Sequence, residues 1–129
     1  MTSALLLLED GAVHAVDPAA PVVRADDLGL LRGESVFETA RIASGRAVVV
    51  QEHLARLARS AARLGIAVPP GIEQLTQAAV AAWTQPDGVL RLVLTKGGTN
   101  VMTSPNGRVI KPRSRARRQT RFPIACCHG

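Results

Sequence analysis

The sequence predicts an α+β domain of two layers, a mostly antiparallel sheet with two helices packed on one face, followed by an irregular basic tail. Three observations carry that expectation: two hairpin patterns near the N-terminus, a switch of apolar period from two to about 3.6 after Glu52, and a later segment with one wholly apolar face. Of the 129 residues 47% are hydrophobic, and the aromatics are Phe37, Trp83 and Phe122 alone. That is one domain's worth of chain with an aliphatic core, and it excludes a disordered chain.

The first hairpin is predicted from the apolar runs Leu5 to Leu8 and Ala12 to Val16, because Glu9-Asp10-Gly11 between them supplies the residues a tight turn needs. Asp17-Pro18 ends it, and an extended connection runs through "PVVRADDLGLLRG". A second hairpin follows, with Ser35 to Ile42 going out, a turn at Ser44-Gly45, and Ala47 to Val50 returning as a β-branched strand. From Glu52, Leu54, Leu57, Ala58, Ala61 and Leu64 form a helical stripe that Gly65 stops. A second helix is predicted from Ile72 to Thr84, with Ile72, Leu75, Ala79, Ala82 and Trp83 inward. Val89 to Thr95 then alternates, with Leu90, Leu92 and Leu94 on one face.

Beyond Lys96 the pattern breaks, so residues 1–98 are read as the domain and 99–129 as the tail. The formal charge of +6 divides at the same place. Nine basic residues face ten acids up to Gly107, while Arg108, Lys111, Arg113, Arg115, Arg117, Arg118 and Arg121 follow with no acid. A truncation or frameshift is the expectation for the tail, and a polyanion-binding tail is the rival reading from another function class. The adjacent Cys126 and Cys127 offer no disulfide framework. The apolar run at the N-terminus has no basic leader, so neither a signal peptide nor a membrane span is expected, and a cytoplasmic protein is.

The chemistry-bearing residues start in "GESVFETAR". Alternation sends Val36, Glu38, Ala40 and Ile42 one way and Phe37, Thr39 and Arg41 the other. If helices cover the first face, Glu38 is a carboxylate among apolar neighbours and needs a partner. If the second face is a site, Phe37 walls a pocket and Arg41 holds an anion; otherwise it is a wet edge. On the helix "EHLARLARSAARLGI", Arg59 and Arg63 read as a solvated face. Arg56, one turn from the helix start, is either a surface ion pair or a phosphate grip assisted by the helix dipole. His14, His53 and His128 lack metal-site spacing, no metal site is expected, and Gly97-Gly98 is not a phosphate loop.

The stretch "DDLGLLRGESVFETARIASGRAVVVQEHLARLARSAARLGI", followed at an interval by "GVLRLVLTKGG", resembles the N-terminal domain of class IV (fold type IV) pyridoxal-phosphate enzymes. That family includes 4-amino-4-deoxychorismate lyases, which the chain most resembles, and branched-chain and D-amino-acid aminotransferases. The resemblance runs from about Leu5 to Gly98. It implies that Arg56 grips the phosphate of pyridoxal 5'-phosphate, that Phe37 lines the substrate side, and that Arg91 helps hold a substrate carboxylate. Arg41 and Lys96 are further candidates for the same anionic pocket, and Phe37, Thr39 and Arg41 are expected as one row beside Arg56.

The resemblance also implies a small-molecule substrate carrying carboxylates, a homodimer, and no nucleic-acid or membrane partner. In such enzymes a Schiff-base lysine near the join to a second domain moves protons while the cofactor ring draws electrons. That lysine is not in this sequence; Lys111 lies too early and lacks the family's surroundings. No catalytic residue is therefore assigned, and the chain as it stands is expected to be inactive. Pyruvate elimination to 4-aminobenzoate, a step of folate synthesis, is the first activity expected of the family likeness.

Overall fold

The structure, a computed structural model, describes residues 3–9, 11–97, 102–103, 109–110 and 123–128. Its elements in chain order are β1 (Ser3–Glu9), β2 (Ala12–Val16), α1 (Leu28–Arg32), β3 (Ser35–Ala43), β4 (Arg46–Ala47), α2 (Val50–Arg63), α3 (Ile72–Ala82), β5 (Gly88–Thr95), β6 (Met102–Thr103), β7 (Val109–Ile110) and β8 (Pro123–His128). Six strands form one antiparallel sheet in the order β2-β1-β8-β5-β3-β4, and β6 pairs with β7 separately. The α+β reading with two helices, α2 and α3, on one face is what the structure has, and the short α1 is an addition to it.

The core lies between that face and α2 and α3. Leu57 and Ala61 from α2, and Leu75 and Ala79 from α3, meet Leu6, Leu8, Val36, Ala40, Ile42, Leu90, Leu92 and Leu94 from the sheet. All are aliphatic, and Trp83 closes one end with its indole N–H donating to the Asp87 carbonyl at 3.1 Å. The apolar stripes sit largely where their spacing puts them, but Ala58 in the middle of α2 is exposed, as are Leu64 and Ala82 at the ends.

The expected irregular tail contributes an inner strand at Pro123–His128, which is a correction to that reading. β8 pairs with β1 from Ser3↔His128 to Leu7↔Ile124, and with β5 from Val89↔His128 to Leu94↔Pro123. Its Ala125 and Cys127 are fully buried, and the Cys127 thiol lies 3.4 Å from the Ala79 carbonyl on α3. The six-residue segment is an inner strand that begins at a proline, a pattern too short for periodicity to separate from accident. The seven basic residues of the tail lie outside the described residues.

Two local readings also change. The expected return strand Ala47 to Val50 shrinks to Arg46–Ala47, because Val49 turns into the left-handed region at φ 47° and α2 begins at Val50. A β-branched residue there is strained, and β propensity cannot anticipate it. The connection read as extended holds the short helix α1. Asp27 caps it by accepting from the Gly29 N–H at 2.7 Å, and Gly33, at φ 68°, ends it.

Two expectations follow. Deleting residues 123–129 leaves β1 and β5 each with one open edge in mid-sheet; at about 1 kcal/mol net per backbone hydrogen bond, the two lost ladders rival the roughly 5–15 kcal/mol that holds a domain together. Cooperative thermal unfolding followed by circular dichroism should disappear. Val49→Gly relieves the left-handed strain at an exposed site and should raise unfolding stability by about 1 kcal/mol in a urea titration.

Candidate active site

Strand β3 divides its side chains between two unlike surroundings. Val36, Glu38, Ala40 and Ile42 are buried under the helices, while Phe37, Thr39 and Arg41 are exposed on the open face. Glu38, only 6% exposed, is thus a carboxylate in an aliphatic layer. Burial of that kind is costly unless the charge is paired.

Its partners come from α2. Arg56 donates from Nε to Glu38 Oε1 at 2.7 Å and from Nη2 to Oε2 at 2.6 Å, a two-pronged charge-assisted contact. His53 Nδ1 lies 2.8 Å from Oε2. His53 and Arg56 are three residues apart and therefore share the helix face that looks onto β3. The Arg56 guanidinium beside Glu38 holds the carboxyl below its ordinary range; burial opposes this and His53 supports it. Glu38 is accordingly the structural carboxylate that the strand pattern implied.

The open face carries a second constellation. Arg91 on β5 stands opposite Thr39, with Phe37 and Arg41 diagonal to it on either side. The Arg91 guanidinium sits 4.2 Å from the centre of the Phe37 ring, a cation–π contact, and Phe37 is 56% exposed. Among the described residues neither Arg41 nor Arg91 has a carboxylate partner. At the far end of the β3–β5 ladder, Asp27 packs α1 against the same face. Its buried carboxylate accepts from the Thr95 hydroxyl at 2.8 Å, and a Cβ on Gly29 would lie 3.0 Å from the Thr95 side chain.

The structure therefore brings together Phe37, Arg41 and Arg91 but not Arg56. The expected row of Phe37, Thr39 and Arg41 beside Arg56 is corrected: Arg56 grips the opposite side of β3 because Glu38 points there. Lys96 is also apart. Its ammonium lies 2.6 Å from Glu34 Oε2, roughly 20 Å along the ladder from Arg41 at the usual strand rise. Sequence reasoning passed over His53 and Asp27. The three-residue spacing of His53 and Arg56 could have revealed the first; the second depends on a hydrogen bond across 68 residues.

The lowered Glu38 pKa has a definite sign for stability. Folding depresses it, so the contribution is complete above the ordinary carboxyl value of 4.5 and is lost as pH falls through the lower folded value. Wild-type stability should fall on acidification below about pH 4.5, and Glu38→Gln should lower stability at pH 7 while flattening that acid limb. Urea unfolding between pH 7 and pH 3 measures both.

Comparison with known proteins agrees with this architecture. The chain is 38% identical over 94 residues to a bifunctional aminodeoxychorismate lyase / D-amino acid transaminase of Mycobacterium tuberculosis, covering 68% of this chain and 32% of that protein. It is 35% identical over 99 residues to a chloroplastic D-amino-acid transaminase of Arabidopsis thaliana, covering 74% of this chain and 26% of that one. It thus spans about a third or less of the length of these relatives. Among solved structures, a fold IV transaminase from Curtobacterium pusillum matches with a TM-score of 0.73 at 26% identity, over 99% of this chain and 43% of that one. A 4-amino-4-deoxychorismate lyase from Pseudomonas aeruginosa matches with a TM-score of 0.61 at 28% identity, over 96% and 39%. With residues 35–116 matching the model of amino-transferase class IV, the chain belongs to that family of pyridoxal-phosphate enzymes.

Proposed function

We propose that this chain is the cofactor-phosphate and substrate-facing portion of a class IV pyridoxal-phosphate enzyme, with 4-amino-4-deoxychorismate lyase as the first reading. The observation that carries it is the open sheet face, where Arg91, stacked on the exposed Phe37 ring, and Arg41 beyond it carry two guanidiniums free of carboxylate partners among the described residues. Such a surface suits a planar substrate with more than one carboxylate. A branched-chain amino acid, with one carboxylate and an apolar side chain, uses it less fully.

The residues present fit the cofactor's phosphate. Arg56 spends Nε and one hydrogen of Nη2 on Glu38 and keeps Nη1 free, and its side chain is 58% exposed. In this reading Arg56 holds the phosphate, while Arg91 and Arg41 orient substrate carboxylates and Phe37 forms an apolar wall. The bound cofactor supplies an electron sink at the substrate's α-carbon. Proton movement there needs a base that Lys96, paired with Glu34, does not offer.

D-amino-acid transamination is the second reading, favoured by the names of the two relatives that share 38% and 35% identity. Saturation-transfer NMR separates the readings. The lyase reading expects 5-aminoisophthalate, a small aromatic dicarboxylate, to bind more tightly than D-alanine. Arg91→Ala and Arg41→Ala should each weaken it by about fivefold, near 1 kcal/mol. Tighter binding of D-alanine favours the transaminase, and dicarboxylate binding that survives loss of both arginines overturns the assignment of that face.

A further inference from the structure

We infer that Glu38 is a positioning residue for the anion-gripping edge of Arg56, an inference that rests on the reading of Arg56 as the phosphate grip. Three observations carry it. The first is chemical. In the helix-covered row of β3, Val36, Ala40 and Ile42 are buried aliphatics, and an aliphatic side chain would complete the layer without a desolvated charge. Glu38 instead forms a fork whose geometry fixes the plane of the guanidinium.

The second observation is which donors remain. With Nε on Oε1 at 2.7 Å and Nη2 on Oε2 at 2.6 Å, both inner hydrogens of Arg56 are consumed. An ionised carboxylate only accepts, so His53 Nδ1, 2.8 Å from Oε2, carries the hydrogen and donates it. A protonated Nδ1 cannot accept, and the 3.3 Å separation between Arg56 Nη2 and His53 Nδ1 is proximity rather than a bond. The two hydrogens of Nη1 and the outer one of Nη2 stay free. One hydrogen of Nη1 and the outer one of Nη2 lie side by side on the end-on edge of the guanidinium, the edge left open by the fork to Glu38.

The third observation is the exposure step across the pair. The side chain of Glu38 is 7% exposed and that of Arg56 is 58% exposed. The carboxylate is therefore anchored in the core while the guanidinium stands at the surface, and rigidity passes from one to the other. A phosphate oxygen meeting this edge finds a donor pair already oriented, without the side-chain entropy loss that a free arginine incurs on binding.

Orientation and charge make opposite forecasts for Glu38→Gln. Removing the negative charge raises the local positive potential and tightens anion binding; removing the fork lets the guanidinium wander and loosens it. The test is titration of the 129-residue chain with pyridoxal 5'-phosphate and with pyridoxal, followed by ligand NMR, in wild type, Glu38→Gln and Arg56→Ala. The expected result is a preference for the phosphorylated ligand in wild type, abolished in Arg56→Ala and reduced about fivefold in Glu38→Gln. No preference in wild type, or a preference that survives Arg56→Ala, overturns the Arg56 reading and the inference with it. A preference lost in Arg56→Ala yet kept or increased in Glu38→Gln overturns the positioning role alone.

Should Glu38→Gln fail to fold, the wild-type Arg56 Nε–H signal decides. Slow exchange with solvent relative to Arg59, and a resonance unmoved by added inorganic phosphate while phosphate is bound, support a fork that persists beneath the anion. Exchange as fast as that of Arg59, or a Nε–H that shifts with phosphate, overturns it.

Discussion

The sheet is held as one piece by the strand that arrives last. β8 lies between β1 and β5, so the β1–β2 hairpin reaches the β5–β3–β4 half through a segment more than a hundred residues away in sequence. The two helices divide along the same seam. α2 packs on β3 in one half, while α3 packs mainly on β1 and β8. Because β8 also buries Ala125 and Cys127 against the helix layer, one core spans both halves.

On that continuous sheet, β3 works as a partition between two electrostatic regimes. On its covered side a single carboxylate is matched by a guanidinium and an imidazole, so its charge is locally compensated. On its open side the guanidiniums of Arg41 and Arg91 are left without acids among the described residues, and an aromatic ring lies under one of them. The chain's near balance of acids and bases before Gly107 thus hides a marked asymmetry between faces. Net charge says nothing of it; the side to which each charge points is what matters for an anionic ligand.

Much of this was legible from local pattern. The hairpin Leu5 to Val16, the stripe Leu54 to Leu64 and the alternation of Leu90, Leu92 and Leu94 depend on spacing within one element, and spacing is written in the chain. The division of β3 into Glu38 and Phe37 sides followed from the pleat alone. What escaped was set at a distance. Whether Arg56 meets Phe37 or Glu38 depends on which sheet face α2 covers, and the second carboxylate oxygen of Asp27 gains its donor only when Thr95 arrives beside it. Residues 123–128 read as leftover chain because their two partner strands are about 120 and about 35 residues earlier.

That separation has a consequence during synthesis. At roughly 5–20 residues per second, the edge of β1 that β8 will occupy waits roughly 6 to 24 s before Pro123–His128 is even polymerised. Through that interval a leucine-rich strand offers unpaired N–H and C=O groups to whatever strand comes near, including the same strand of a neighbouring nascent chain. The last six described residues act as the chain's own occupant of an edge that is otherwise open to aggregation.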